Sequence, residues 1–466
     1  SIAASCGTYL TRVVDVKRNK NQNYAIVDGG MHQLVYYGQS MAMQQPRLRL
    51  HPPRDGKPEP WNLCGSLCTV NDILVKQLPV PGLKCGDVFA FENTGAYCMT
   101  EGISLFLSRA LPRVVLLLPD GAPLLVREAL ATDGVNILQY GATEGYAPLR
   151  ESIAEFVKGC GVTASPDDIL PVTGSQQGMD LLCKALINPG DAILAEDPTF
   201  LGVLQTMRMY RANIQPIATD EFGAIPESVE EQIKAYKPKL MYIIPTFQNP
   251  SGKTLPLERR RKLAELANKY GVVLAEDDPY RDLRYAGEPL PAIKAFDTDG
   301  WVVYLGSFSK LISPGIRVGY AIANPTLMRK LVIGKQSVDV HTSTLSQAVV
   351  DGYLRRGLMQ PHIVKICASY KQQLDLMLDL FKLFPAGVTH TSPQGGLFVW
   401  AELPEGMDAL AMLPEVTRKG VAYVPGTHFY INGGHLNTLR LNFSNAPLDK
   451  IQRGMELLAE AFAEHM

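Results

Sequence analysis

The chain has 466 residues, room for two or three domains at about one per 150 residues, each able to bury a core. At 46% hydrophobic and 20% charged it is not a disordered chain, and no run approaches the roughly 18 apolar residues of a membrane span. Lys plus Arg (45) nearly balance Asp plus Glu (46); the net charge of -1 leaves no general electrostatic drive toward nucleic acid or an anionic membrane and favours a small-molecule role.

The first residues, SIAASCGTYLTRVVDV, lack the basic start, apolar block and cleavage site of a secretory or transit peptide, so a cytoplasmic address is expected. Eight cysteines, at 6, 64, 68, 85, 98, 160, 183 and 367, are too sparse and irregular for a disulfide framework or a zinc site. They read as reduced thiols, and no metal is expected. Up to about Arg113 the sequence runs as short β-rich stretches split by turn chemistry: GTYLTRVVDV, then polar KRNKNQN, YAIVDGGM, and later DILVKQLPV and DVFAFENTGAY. Strands at that spacing predict a barrel or sandwich.

Between Arg113 and Tyr140 stand 26 residues, of which APLLVREALA is expected to form one helix. From Tyr146 the pattern alternates. A helix (YAPLRESIAEFVKG) leads to the strand DILPVTG, a helix from Gln176, the strand AILAED and the fully apolar strand KLMYIIP. The helix LERRRKLAELANKY precedes the strand VVLAEDD, then WVVYLGSF and RVGYAIA add two more strands, and the last hundred or so residues mix helix with short strands. Such alternation predicts a mixed, mostly parallel sheet with helices on both faces, followed by a small α+β domain.

Small motifs are spread along this second part: QYGATEGY from Gln139, TGSQQG from Thr173, EDPTF ending at Phe200, PTFQNPSG from Pro245, EDDPY from Glu276, GSFSK from Gly306 followed by PGIR, and TLRLNFS from Thr438. Together and in this order they resemble the fold-type I pyridoxal-phosphate aminotransferases, nearest to the aminoadipate/kynurenine and aromatic aminotransferase group, over roughly Asn136 to Met466. The resemblance implies pyridoxal 5'-phosphate as cofactor and Lys310 as the Schiff-base lysine and general base, a role that needs an amine held deprotonated. Asp277 then faces the ring nitrogen, because the ring draws electrons only while that nitrogen stays protonated. Tyr280 and Asn249 reach the ring hydroxyl, and Asn249 also borders the substrate.

For the phosphate, TGSQQG joins a strand to a helix and can present the backbone of Ser175 and Gln176, as anion sites at helix N-termini do. Ser307, Ser309 and Arg317 supply the hydroxyls and the permanent cation by resemblance. Phe200 matches the aromatic that stacks on the ring, where the family often has Tyr. Arg440 matches the arginine that clamps the substrate α-carboxylate in a two-pronged fork. Tyr140 matches a tyrosine that crosses to the neighbouring subunit's cofactor, which implies a homodimer.

The first part resembles another pyridoxal-phosphate family, the group IV decarboxylases related to diaminopimelate decarboxylase, through GTYLTRVVDV, VDGGMH, CGSLCTVNDIL and GAY. There this region is the C-terminal β-barrel that follows a TIM barrel; Cys68, Asp72 and Tyr97 match residues completing the decarboxylase site. The organisation expected is a partial all-β barrel over 1–115 and an aminotransferase-like region over 116–466, with a large cofactor-binding domain at about 146–340 and a small domain at about 341–466. The expected activity moves an amino group from a bulky aromatic or dicarboxylic amino acid to 2-oxoglutarate, as the aminotransferase part of a decarboxylase–aminotransferase fusion. Rival readings are a decarboxylase completed by a missing TIM-barrel part and a non-catalytic cofactor-binding module. The family usually places several dozen residues before the counterpart of Tyr140, so the short connection here predicts an incomplete substrate pocket.

Overall fold

In the computed structural model of the chain, the residues described are 7–31, 33–34, 46–66, 72–92, 94, 115–117, 123–125, 134 and 136–465. The chain divides into two compact units, Ser1–Ala131 with Ser313–Ile316, and Thr132–Ile312 with Arg317–Met466.

The first unit holds a six-stranded sheet built from β1 (Thr8–Asn19), β2 (Gln22–Val27), β3 (Leu48–His51), β4 (Glu59–Cys64), β5 (Ile73–Val80) and β6 (Val88–Glu92), in the order β3-β6-β1-β2-β4-β5. Along β1 the side chains of Tyr9, Thr11 and Val13 are buried while their neighbours are exposed, the period of two that seats one face on a core. Lys20 and Asn21, both at positive φ, make the two-residue turn into β2, a geometry that matches the twist of the flanking strands. The edge strands β3 and β5 line a common groove of about 510 Å³ together with Phe89, so the sheet curls until its edges face one another, as a partial barrel does.

A short antiparallel hairpin pairs β7 (Val115–Leu117) with β8 (Pro123–Leu125). This corrects the helix expected over APLLVREALA at its start. Two apolar runs flank Pro119-Asp120-Gly121, and such turn chemistry between strand-forming runs favours a hairpin over a helix.

The second unit is built on a seven-stranded sheet of order β11-β10-β14-β15-β16-β17-β9: β9 (Ile169–Val172), β10 (Ala192–Glu196), β11 (Asn213–Ile217), β14 (Leu240–Ile243), β15 (Val273–Asp277), β16 (Val302–Ser307) and β17 (Gly319–Ile322). The two-residue strands β12 (Thr219–Asp220) and β13 (Gly223–Ala224) form a separate hairpin. Strands β11, β10, β14, β15 and β16 are parallel, and β17 runs against β16 and β9. All four residues of β14 and all five of β15 are buried, the near-continuous apolar signature of strands covered on both faces.

One face packs on α2 (Ser175–Leu186), α3 (Leu201–Met209) and α6 (Pro325–Val338), following α1 (Ala147–Phe156) in the chain; the other packs on α4 (Pro226–Tyr236) and α5 (Leu257–Tyr270). Tyr242, Val273, Ala275, Val303 and Leu305 point to the α2 side, and Met241, Ile243, Leu274 and Val302 to the α5 side. This alternation decides which carboxylates meet which helices below.

The C-terminal part continues through α7 (Thr344–Arg355) and α8 (Met359–Leu380) into an antiparallel sheet β18-β19-β21-β20, made of β18 (Thr389–His390), β19 (Phe398–Glu402), β20 (Val424–Pro425) and β21 (Thr438–Asn442). Helix α8, with α9 (Ala409–Arg418) and α10 (Leu448–Ala463), covers it around a core that includes Leu374, Val399, Leu441 and Phe462. Among the described residues no helix is long and apolar enough to cross a membrane. Cys64, Cys85, Cys160, Cys183 and Cys367 carry free thiols.

Candidate active site

In an open α/β sheet, groups that act on a ligand gather beyond the carboxyl ends of the strands. Here Ser175 follows β9, Phe200 follows β10, Asn249 follows β14, Asp277 ends β15, and Ser307, Ser309 and Lys310 end or follow β16. These sequence motifs are separated by dozens of residues. Strand order alone makes them neighbours along one sheet edge.

Asp277 lies on the α2 side of β15, continuing the alternation of Val273 and Ala275. Its Oδ2 accepts a 2.7 Å hydrogen bond from the Tyr242 hydroxyl on β14, whereas Oδ1 is buried with no hydrogen-bond partner. Burial raises its pKa to about 6, partly offset by the Tyr242 hydroxyl and raised further by the Asp278 charge. An oriented carboxylate with one buried, unsatisfied oxygen is a site for a cationic N–H donor.

Beside it, Asn249, Tyr280 and Arg440 form a connected group. Arg440 Nη1 donates to Asn249 Oδ1 at 2.7 Å, and Asn249 Nδ2 donates to the Tyr280 hydroxyl at 3.4 Å. The Arg440 guanidinium lies over the rings of Phe398 (4.1 Å) and Phe429 (5.0 Å), which fix its plane, and its Nε is buried without a partner. Desolvation lowers the Arg440 pKa, with Tyr280 acting the other way. A planar fork held on one side and unsatisfied on the other is suited to a carboxylate.

The anion-binding features lie around the start of α2. Gly174 precedes it at φ +83, and a Cβ there would sit 2.4 Å from Arg317 Nη2, so only glycine lets the chain pass that close. Arg317 Nη2 donates to Thr173 O at 3.1 Å, and Nη1 reaches Ser309 Oγ at 3.4 Å. The Ser309 amide in turn donates to Ser307 Oγ at 3.2 Å. Ser175 is the first residue of α2, and the Gln176 side chain donates to Gly202 O (3.0 Å) and Thr206 Oγ1 (2.7 Å) on α3. Free amides of a helix start, two serine hydroxyls and a guanidinium make a dianion cradle.

Lys310 joins the two halves. Its pKa is lowered by desolvation and by the fields of both Arg317 and Arg440. An amine so placed is readily deprotonated, which makes it a nucleophile toward an aldehyde and a base toward a C–H acid.

Phe200 caps the start of α3, half-buried against the core on that face. Tyr140 stands apart, 86% exposed, its ring edge-on to His341 at 6.1 Å. In the first unit Asp72 is buried and its Oδ1 accepts the Met31 amide at 2.7 Å, while Cys68 and Tyr97 lie outside the described residues. Among the described residues no cluster of three or more His, Cys, Asp or Glu could hold a metal ion.

The sequence reading did not include several residues that shape this site. Tyr242 is one; its only signal is a polar tip within an otherwise aliphatic strand. Another is Arg260 on α5, fully buried, which donates to the carbonyls of Leu255, Pro291 and Pro245 and to Thr246 Oγ1, tying down both ends of the loop that carries Asn249. Glu196, whose Oε2 accepts the Ile244 amide, is raised by burial to about 8.

The donor set fits a phosphorylated pyridine aldehyde: a dianion cradle, a buried carboxylate oxygen for a ring N–H, a hydroxyl-directed Tyr–Asn pair and a depressed lysine. Comparison with known proteins agrees. Residues 100–458 match the family model "Aminotransferase class I and II", and residues 2–95 match "Pyridoxal-dependent decarboxylase, C-terminal sheet domain". Aromatic-amino-acid aminotransferase 1 of Thermococcus litoralis is 44% identical over 349 residues, 73% of this chain and 84% of that protein. The structure of Pyrococcus horikoshii kynurenine aminotransferase, in complex with PMP, superposes with a TM-score of 0.70 at 41% identity, covering 73% of this chain and 87% of that one. That of LysN, the α-aminoadipate aminotransferase of Thermus thermophilus complexed with N-(5'-phosphopyridoxyl)-L-leucine, superposes at 0.69 and 36% identity, covering 75% and 89%.

Proposed function

Because this chain belongs to the class I and II aminotransferases, we propose that it moves the amino group of a bulky aromatic or dicarboxylic amino acid to 2-oxoglutarate. The enzyme is pyridoxal 5'-phosphate dependent, the cofactor supplying an aldehyde that takes up the amino group and a ring that accepts the electrons of the substrate α-carbon. What supports the residue assignment is the gathering of Lys310, of Asp277 with one buried oxygen left open, and of the Arg440–Asn249–Tyr280 group at the ends of neighbouring strands.

In this reading the start of α2 with Ser175, Gln176, Ser307, Ser309 and Arg317 holds the phosphate. Asp277 keeps the ring nitrogen protonated, Phe200 covers the ring, and Asn249 and Tyr280 hold the ring hydroxyl. Arg440 anchors the substrate α-carboxylate, its fork held in plane by Phe398 and Phe429. Lys310 takes the α-carbon proton from the amino donor and returns a proton to the α-carbon of the amino acid formed from the acceptor. A bulky donor is supported by the aromatic surroundings of Arg440, which extend to Trp400 and Tyr430, and by relatives named for aromatic amino acids, kynurenine and aminoadipate. The exposed Tyr140 supports its use by a second copy in a homodimer. The decarboxylase-type sheet in one chain with an aminotransferase module supports a decarboxylase–aminotransferase fusion.

The test incubates the cofactor-loaded chain with 2-oxoglutarate and a panel of amino donors and follows glutamate. Glutamate is expected with aromatic and long dicarboxylic donors, and its absence with every donor contradicts the acceptor assignment. Lys310→Ala is expected to lose both the cofactor's visible absorbance band and amino-group exchange; a variant that keeps either one rules out Lys310.

A further inference from the structure

Behind the turn at the start of α2 lies a closed hydrogen-bond ring that the reaction as described does not use. Lys335 on α6 has a fully buried side chain, and its ammonium donates to Gln177 Oε1 (2.7 Å) and to Asp339 Oδ1 (2.9 Å) and Oδ2 (3.0 Å). Asp339 Oδ2 also accepts from Gln177 Nε2 (2.7 Å) and from Thr173 Oγ1 (3.0 Å). Gln177 Oε1 accepts the Thr173 backbone amide at 2.8 Å, and Thr342 Oγ1 lies 3.1 Å from Thr173 Oγ1. Thr173 is therefore gripped through its amide and its hydroxyl by this ring, and through its carbonyl by Arg317.

Burying a lysine is expensive, and a buried ion pair exchanged for apolar side chains of similar volume is often neutral or stabilising. Global stability is thus a poor reason for an ammonium here. The segment just after Asp339 is also held in an unfavourable conformation: Val340 is β-branched yet sits at φ +64, a state that persists only where surrounding contacts enforce it. What the ring does fix is the backbone that leads through Gly174 into the free amides of α2. Each of its members ends on Thr173 or on Gln177 in the first turn of that helix.

We propose that Lys335 and Asp339 are positioning residues that set the Thr173–Gln177 turn for the cofactor phosphate, acting through Thr173 and Gln177. This rests on the reading that the turn holds the phosphate. Its signature is a greater effect on that group: the ring itself touches none of Asp277, Tyr280 or Lys310 and reaches Asp277 only at second hand, through the Ser175 side chain of the same turn, so a ligand with the same pyridine ring and no phosphate senses it much less.

The experiment titrates the full chain, ligand-free, with pyridoxal 5'-phosphate and separately with pyridoxal, following the visible band. Lys335→Met removes the ammonium at similar length, and Thr173→Val removes only the hydroxyl link, leaving the buried pair intact. Both variants are expected to bind pyridoxal 5'-phosphate about tenfold more weakly, the scale of one hydrogen bond to a charged group, with a much smaller change for pyridoxal. Thr173→Ser, which keeps the hydroxyl, is expected to restore the wild-type ratio. Equal weakening for both ligands, or none for either, overturns the proposal, and Thr173→Val decides alone if Lys335→Met does not fold. A wild-type chain that binds the two ligands equally shows instead that the phosphate assignment itself is wrong, and the proposal falls with it.

Discussion

Asp277 divides its two oxygens between tasks. Tyr242 occupies Oδ2 and leaves Oδ1 for a ligand, so the orientation of the carboxylate is set before anything binds. The same bond is a pH setting. Burial lifts the Asp277 pKa to about 6 and the Tyr242 hydroxyl holds it down. In the role proposed for Asp277 the ionised form is the one that supports a protonated ring nitrogen, so activity is expected to fall as pH drops through this range. Tyr242→Phe removes a stabiliser of the ionised form, raises the pKa further, and is expected to move the acid limb of the kcat–pH profile upward. A limb at the wild-type pH, or below it, contradicts that role. Little of this was legible in the sequence: the EDDPY motif marks the carboxylate, but its hydroxyl partner lies 35 positions earlier on a neighbouring strand.

Among the elements, the loop between β14 and α5 shows how a site residue depends on a distant scaffold. Asn249 is reached by Arg440 from the C-terminal sheet, while the loop's ends are held by the buried guanidinium of Arg260. In sequence, Arg260 is one of five basic residues in LERRRKLAELANKY and nothing local singles it out; only packing against the loop shows it turned inward. Arg260→Met leaves several carbonyls without donors and the nearby Glu276 and Asp278 charges uncompensated. It is expected to cost about 3–5 kcal/mol in urea unfolding and to raise the KM for the amino donor as Asn249 loosens. A change under about 1 kcal/mol speaks against this account. The β7–β8 pair makes the converse point: APLLVREALA has helical residues, yet Pro123–Leu125 at its start pair as a strand with Val115–Leu117.

At the scale of the molecule, two units of different construction share one chain, each with its own buried core. All the groups assigned to the cofactor belong to the second. Added pyridoxal 5'-phosphate is therefore expected to stabilise that unit, by about 2.7 kcal/mol at a hundred times its Kd. Limited proteolysis read by mass spectrometry is expected to show ligand protection within Thr132–Met466 and unchanged cleavage within Ser1–Ala131. Equal protection of both units contradicts the placement of the site.

The sequence by itself determined the fold class of both parts and marked the groups proposed to touch the cofactor, because strand periodicity and short motifs such as TGSQQG, EDDPY and GSFSK are local properties of the chain. The tertiary structure alone decided what holds those groups: Tyr242 on Asp277, Arg260 under Asn249, and the Lys335–Asp339 ring behind Thr173. The reason is physical. Burial and hydrogen bonding between residues as far as 166 positions apart depend on strand order and helix packing, and a lysine or arginine in a helical stretch carries no local sign of which way it will face.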